Sequence, residues 1–353
     1  MNPLIPTPDT IPVAWGWFEF LLLLTLPLHL LCMNMLLGFS GISLFARLRG
    51  DETSRRLAFE LARVLPFLVA FTVNFGVAPL LFNQVLYGQF LYVSSILMAV
   101  FWLAVIPLLI FAYYAIYLYD FRFRSLGRGG AVFIGLALLA ILLIAFIFTN
   151  NMSLALDPAR WVAYFQTPTG TLLNLGDPTL FPRFLHFVVG GFAVGGLAVA
   201  VFARFWRQRD PQVAELATRI GMQTFTYLTM AQVLLGIWFL MSLPREIMLI
   251  FMGRNLLATA VFIVALILAT VALVTGLRRQ VGLTAVLAFV LLFLMALMRD
   301  LARIAFHAPF FRAETLQVVP QYAPMVMFFV TLAAGLACIA WMLRQVSVAF
   351  KRD

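Results

Sequence analysis

Cysteine is nearly missing from this 353-residue chain: only Cys32 and Cys338 occur, and both fall inside long apolar runs. That leaves no basis for a disulfide framework. Charge is equally scarce. Charged residues make up 11% of the chain and hydrophobic ones 64%, against about 25% and roughly 45–50% in an ordinary soluble chain. A soluble fold cannot hide that much apolar surface. The alternation at period two that marks a membrane-spanning barrel is absent, as is any tandem repeat. A linker able to separate a second domain is missing too. The longest polar connection, near 150–180 with Pro158, Pro168, Gly170, Gly176 and Pro178, is short, so one domain is expected over 1–353.

What the chain does have is a series of runs long enough, at about 20 apolar residues, to cross a roughly 30 Å hydrocarbon core as helix. Spans are predicted near 14–45, 57–82, 91–119, 130–149, 181–206, 213–242, 247–277, 281–306 and 318–347. The fold class is therefore an all-α integral membrane protein, a bundle of about nine transmembrane helices in contact with membrane lipid. The first span has no basic flank before it and no small-residue cleavage site after it, so it reads as a retained helix and not as a signal peptide.

The net charge of +10 does not point to nucleic acid, because the basic residues sit in alternate connections. Arg47, Arg49, Arg55, Arg56 and Arg63 surround the first junction, and Arg122, Arg124 and Arg128 follow the third span. Arg204, Arg207, Arg209 and Arg219 surround the fifth junction, Arg278 and Arg279 follow the seventh span, and Arg344, Lys351 and Arg352 close the chain. Assigned to one face, these connections hold 17 basic and 7 acidic residues, and the other face holds 7 of each. The whole excess is on one side, which the positive-inside rule makes cytoplasmic. The expected topology is N-terminus outside and C-terminus cytoplasmic, in the inner (cytoplasmic) membrane.

Histidine is the third scarcity, and the most informative. The three residues His29, His186 and His307 each lie in or at the end of a span, and the topology brings all three toward the outer half. A titratable ring inside hydrocarbon is unfavourable without a partner, which makes an intramembrane His a functional candidate by default. The alternative is a helix-to-helix hydrogen bond. With no carboxylate relay nearby, haem ligation is the stronger reading, since helix-borne His is a usual way for a bundle to hold haem iron. No Cys-x-x-Cys-His is present, so the haem would be b-type. In the run RFLHFVVGGFAVGG, Gly191 and Gly195 follow His186 by five and nine residues. Such a small-residue face accepts either a porphyrin or another helix.

RFLHFVVGGFAVGG resembles the fifth helix of subunit I of cytochrome bd-type oxidases. FLLLLTLPLHLLCMNMLLG resembles that family's first helix, with Thr25 four residues before His29 and Gly38 nine after it; VNFGVAPLLFNQVLYG is similar to its second. The resemblance implies His186 as a ligand of a low-spin b haem, His29 as a ligand of a further haem, and two or three haems in all, one of a different, high-spin type. In LMALMRDLARIAFH, Asp300 and Arg303 stand where the family has a Glu and an Arg, and Asp300, Arg303 and His307 share one helical face beside Arg299. The arginines would then neutralise haem propionates, with Asp300 or His307 reaching an iron. The other reading is an ion pair snorkelling to the interface at a helix end. A Met ligand of the seventh helix has no clean match, and Met252 and Met248 are the nearest; Met is also a common core filler.

The chain departs from that family in two places. Only SLPREI is expected between the sixth and seventh spans, where the family carries a long quinol-oxidising loop. The third span also has no acid before Asp120, where the family has carboxylates for proton delivery. The function expected is a b-type haem subunit of a bd-like respiratory oxidoreductase. It would take electrons at the outer face from a donor other than quinol and pass them to oxygen or another small oxidant. The family's habits imply a second membrane subunit and a c-type cytochrome at the outer face. Two alternatives remain: an electron-conducting cytochrome b without its own catalytic site, and a haem-free transporter, which lacks the broken helices and midplane acids that ion coupling needs.

Overall fold

The computed structural model describes residues 4–350. Lys351, Arg352 and the side chain of Arg128, which contribute to the charge asymmetry, lie outside what is described. Among the described residues, nine helices are long and apolar enough to cross a membrane. They are Trp15–Arg49, Glu52–Leu97, Ala99–Phe121, Gly130–Leu156, Leu180–Trp206, Pro211–Ser242, Leu256–Leu277, Val281–His307 and Tyr322–Phe350, referred to below as the first to ninth spans.

Their ends are set by local chemistry. Asp51 accepts a hydrogen bond from the Ser54 N–H at 2.9 Å and starts the second span, and Asp210 does the same for Val213 at 3.2 Å, just ahead of Pro211, at the sixth. Asn255 accepts from the Ala258 N–H at 3.0 Å to begin the seventh. Each cap satisfies a backbone donor that the helix itself leaves free. Gly50, at φ +77°, turns the chain out of the first span while its N–H bonds the Ala46 carbonyl.

The first span is central, packing on the second and the fifth; the fifth packs on the sixth, the third on the fourth and the seventh on the eighth. At one end the core is aliphatic and aromatic, with Leu37, Phe39, Leu57, Leu61, Leu65, Ile116 and Tyr119 all buried. A second cluster at the opposite end gathers Leu22, Leu86, Tyr87, Phe90, Trp161 and Leu316. Most large apolar side chains on the outward faces, such as Phe67, Leu103, Leu234 and Leu283, remain exposed. Water does not tolerate such a surface on this scale, and lipid does; the chain is a multi-pass membrane protein. The ninth span stands apart, exposed along its described length except at half-buried Met325, with Phe329 meeting Trp17 edge-on at a ring separation of 6.4 Å.

Four boundaries differ from the expectation. The second span does not stop near 82 but runs to Leu97, with one break at Tyr87 (φ −132°, ψ 28°), and the third begins at Ala99 and not near 91. Gly88, Gln89 and Ser94 lower the hydropathy there, yet all three are buried and the backbone resumes its helix after Tyr87. The fourth span continues past 149 to Leu156, because Asn150, Asn151 and Ser153 are buried beneath the following connection. The seventh begins at Leu256 and not near 247. Ahead of it lie a short helix, Arg245–Leu249, and a π-turn, Ile250–Arg254, in which Gly253 adopts φ +115°. The break falls where Gly253, Arg254 and Asn255 interrupt the apolar run, with glycine supplying the positive φ and Asn255 the cap.

Candidate functional site

His29 sits on the first span, half-buried, and its Nδ1 lies 3.0 Å from the Thr72 carbonyl oxygen of the second. A carbonyl only accepts, so Nδ1 carries the proton and Nε2 keeps its lone pair. This is the arrangement by which proteins orient an imidazole for a metal. Gly76, one turn further along the second span, makes the room: a Cβ there would stand 2.8 Å from His29 Cε1. Thr25 turns its hydroxyl to its own helix, donating to the Leu21 carbonyl at 2.8 Å.

His186 is half-buried on the fifth span, and its Nδ1 is buried without a hydrogen-bond partner. The sixth span faces it. Phe239 lies 6.0 Å from the imidazole between ring centres, Gly236 would bring a Cβ within 3.5 Å of His186 Cε1, and Gln232 donates to the His186 carbonyl at 2.8 Å. An unsatisfied imidazole nitrogen held in place by its neighbours costs free energy unless a ligand completes it.

Gly191 and Gly195 face the first span. A Cβ on Gly195 would lie 2.1 Å from the Asn34 carbonyl oxygen and 2.6 Å from Gly38 Cα, and one on Gly191 would lie 2.8 Å from Leu37 Cδ1. Of the two uses open to this small-residue face, helix-to-helix contact occupies it here. The same contact holds His29 and His186 on neighbouring helices.

The eighth span buries Asp300, Arg303 and His307. Arg303 forms ion pairs with Asp300 and, at 3.3 Å, with Glu19 of the first span. It also donates to Asn83 Oδ1 at 2.9 Å and stacks over Tyr87 at 4.2 Å. The Asp300–Arg303 ion pair is buried inside the bundle, with Arg303 6% exposed and Asp300 4%. The His307 ring is 2% exposed, packed against Phe90 (ring centres 4.0 Å apart) and Tyr87 (5.4 Å), with Nδ1 unpartnered. Arg299 reaches the Met152 sulfur at 3.4 Å, a weak acceptor for a guanidinium. Met252 lies in the π-turn ahead of the seventh span, 57% exposed. Among the described residues no cluster of three or more His, Cys, Asp or Glu that could hold a bare metal ion occurs.

No protein-family model matches the chain, and no curated protein matches it in sequence. Among solved structures it is similar to a chain of the bd oxidase from Geobacillus thermodenitrificans, with a TM-score of 0.68. The match covers 92% of this chain and 96% of that one, at 12% identity. The chain has the bd oxidase fold. At that identity the likeness is one of helix order and packing, and within the bd oxidase fold the chemistry must be argued from this chain's own side chains.

Sequence reasoning passed over several of them. Glu19, an acid inside the first span, was visible as an intramembrane charge, the kind that needs a named partner. Arg183 stands three residues before His186 in the very run that carries the resemblance. It is 5% exposed, and its Nη1 is without a partner. Tyr87 and Phe90 carried no signal, since aromatic residues in a span are ordinarily core.

Proposed function

We propose that this chain is the b-type haem-carrying membrane subunit of a respiratory oxidoreductase of the bd kind, working as one transmembrane haem domain over residues 1–353. Its N-terminus lies outside and its C-terminus in the cytoplasm of a cell bounded by this inner membrane. The observation that carries the reading is His29, whose Nδ1–H is tied to the Thr72 carbonyl, leaving Nε2 for iron. His186, with its unpartnered Nδ1 on the adjacent fifth span, supports a second ligand position, and His307 a third. The residues present fit the group: imidazoles on helices, one oriented by a backbone carbonyl, and arginines close by. Bound iron would supply one-electron transfer and, where a coordination position is open, a place for a small oxidant.

The protein's own contribution is orientation, low dielectric and charge. The second, first and fifth spans hold the imidazoles; Arg183 and Arg299 bring positive charge to the same end; the apolar shell keeps bulk water away. The connection from Leu243 to Asn255 between the sixth and seventh spans is a short helix and a π-turn. It is longer than the expected SLPREI but still no external loop, which supports a donor other than quinol. A c-type cytochrome at the outer face is the proposed donor, and a second membrane subunit the proposed companion. One observation favours the alternative of an electron-conducting cytochrome b without its own catalytic site: Asp300 is already paired with Arg303 and so is not free for iron.

The test is a reduced-minus-oxidised spectrum of the purified protein, with and without carbon monoxide. Haem b bands are expected. Bands that carbon monoxide alters support a reductase, bands it leaves unchanged support the conducting role, and the absence of any haem band overturns both.

A further inference from the structure

Arg183 and Arg299 lie within the spans at this bundle end, and among the described residues neither has a carboxylate as a direct ion-pair partner. Arg303, by contrast, already has Asp300 and Glu19. Among the described residues, no carboxylate lies within ion-pair distance of Arg183 or Arg299, and each guanidinium has a reason to stay where it is. Arg183 donates through Nη2 to Thr179 Oγ1 at 2.9 Å. Thr179 in turn donates its hydroxyl to Asp177 Oδ2 at 3.0 Å and its N–H to Oδ1 at 2.8 Å, and Ser153 bonds the same carboxylate. The oxygens of Asp177 are thus occupied, and its charge reaches Arg183 only across Thr179. This chain of bonds fixes the guanidinium and leaves Nη1 buried and unsatisfied.

Arg299 is carried by the eighth span, which packs on both the fifth span that holds Arg183 and the fourth, and it touches Met152 of the fourth. On the same fourth span the fully buried Asn150 accepts from the Asn174 N–H through Oδ1 at 3.1 Å, and Asn174 donates in turn to Ser153, which bonds Asp177, so Asn150 belongs to the network that fixes Arg183 and leaves Nδ2 without a partner. Every unsatisfied group in this set is a donor. Like charges on packed spans inside the bundle, with donors left over, are unfavourable unless an anion lies among them, and a planar carboxylate is the anion that a guanidinium fork matches. Arg183 and His186 are three residues apart on one helical face and share a neighbour: Phe239 lies 5.5 Å from the Arg183 guanidinium and 6.0 Å from the His186 ring.

We infer that Arg183, Arg299 and Asn150 form a carboxylate-binding cradle for a propionate of the haem that His186 holds. The assignment rests on the haem reading above. It keeps Arg299 as a propionate partner and replaces Arg303 by Arg183, which the network through Thr179 and Asp177 positions.

The test compares uptake by the full-length, haem-depleted protein of iron protoporphyrin IX and of its dimethyl ester, which lacks the carboxylates. The parent is expected to prefer the free acid by about tenfold to a hundredfold, the scale of one or two charge-assisted hydrogen bonds. Arg183→Gln together with Arg299→Gln should abolish the preference, and Arg183→Lys should retain part of it. Of the haem-loaded proteins, the double variant should also titrate at a lower midpoint potential than the parent, because adding an electron is less favoured once positive charge is removed. Thermal unfolding of each variant separates misfolding from lost recognition, and Arg183→Lys keeps the assignment testable if the double variant does not fold. A parent that binds neither form overturns the haem reading and this assignment with it. A parent that binds both forms alike, or variants that keep the parent's preference, overturns the assignment alone.

Discussion

Gly195→Ala is the sharpest perturbation of this bundle. The added Cβ would lie 2.1 Å from the Asn34 carbonyl oxygen and 2.6 Å from Gly38 Cα, where ordinary contacts are about 3.3–3.6 Å for C···O and 3.5–4.0 Å for carbon pairs. Both obstacles are backbone, so no rotamer change relieves them, and the first and fifth spans must part by more than about 1 Å. A gap of that size forfeits roughly a quarter to a half of the dispersion well along the seam. Overpacked cores typically lose about 1–3 kcal/mol, and a backbone-on-backbone clash belongs at the top of that range. The higher helix propensity of Ala returns about 1 kcal/mol. A net loss of about 2 kcal/mol is expected, read as a lowered thermal midpoint in detergent. Gly335→Ala, where a Cβ meets nothing within 4 Å, is the control and should match or slightly exceed the parent. Gly38→Ala meets the same gap from the other side at 2.3 Å from the Gly195 carbonyl carbon, so the double variant should lose less than the sum of the two. A Gly195→Ala protein that unfolds with the parent's midpoint would refute the close approach and the packing argument built on it.

Other outcomes follow from the same structure. His186→Ala should remove a low-spin b band, since the iron loses a nitrogen ligand that the facing Gly236 and Phe239 cannot replace; a full low-spin spectrum in the variant would sink that ligand role. Arg303→Gln leaves Glu19 and Asp300 buried without their cation, at a loss of about 3–5 kcal/mol, and adding Glu19→Gln and Asp300→Asn should recover part of it. If the single variant unfolds like the parent, the buried network contributes nothing. Quinol analogues should be poor donors to the isolated chain, and robust oxidation sensitive to quinol-site inhibitors would overturn the proposed choice of donor.

The number of spans, their order and the helical class were legible in the sequence because each depends on run length and composition, which the bilayer imposes locally. The candidate histidines were legible for the same reason, since a polar ring stands out in an apolar run. Where a helix ended was less legible. The buried amides of the fourth span lowered hydropathy without interrupting the helix, the second span kinked at Tyr87 yet ran on to Leu97, and the step Gly253, Arg254, Asn255 broke what had been read as one span. Which partner each polar group would find on another helix was not legible. Glu19 and Arg303 are far apart in the chain, and only the packing of the first span on the eighth makes them an ion pair. Gly195 could have served a cofactor or a helix until the first span came to rest on it. Arg183 went unread in the sequence; only the bonds through Thr179 to Asp177 show its guanidinium fixed in place with one donor unsatisfied. Local sequence determines what a segment is, because the solvent it must meet is the same along its length. The identity of its partner is a property of three-dimensional neighbours, which only the tertiary structure decided.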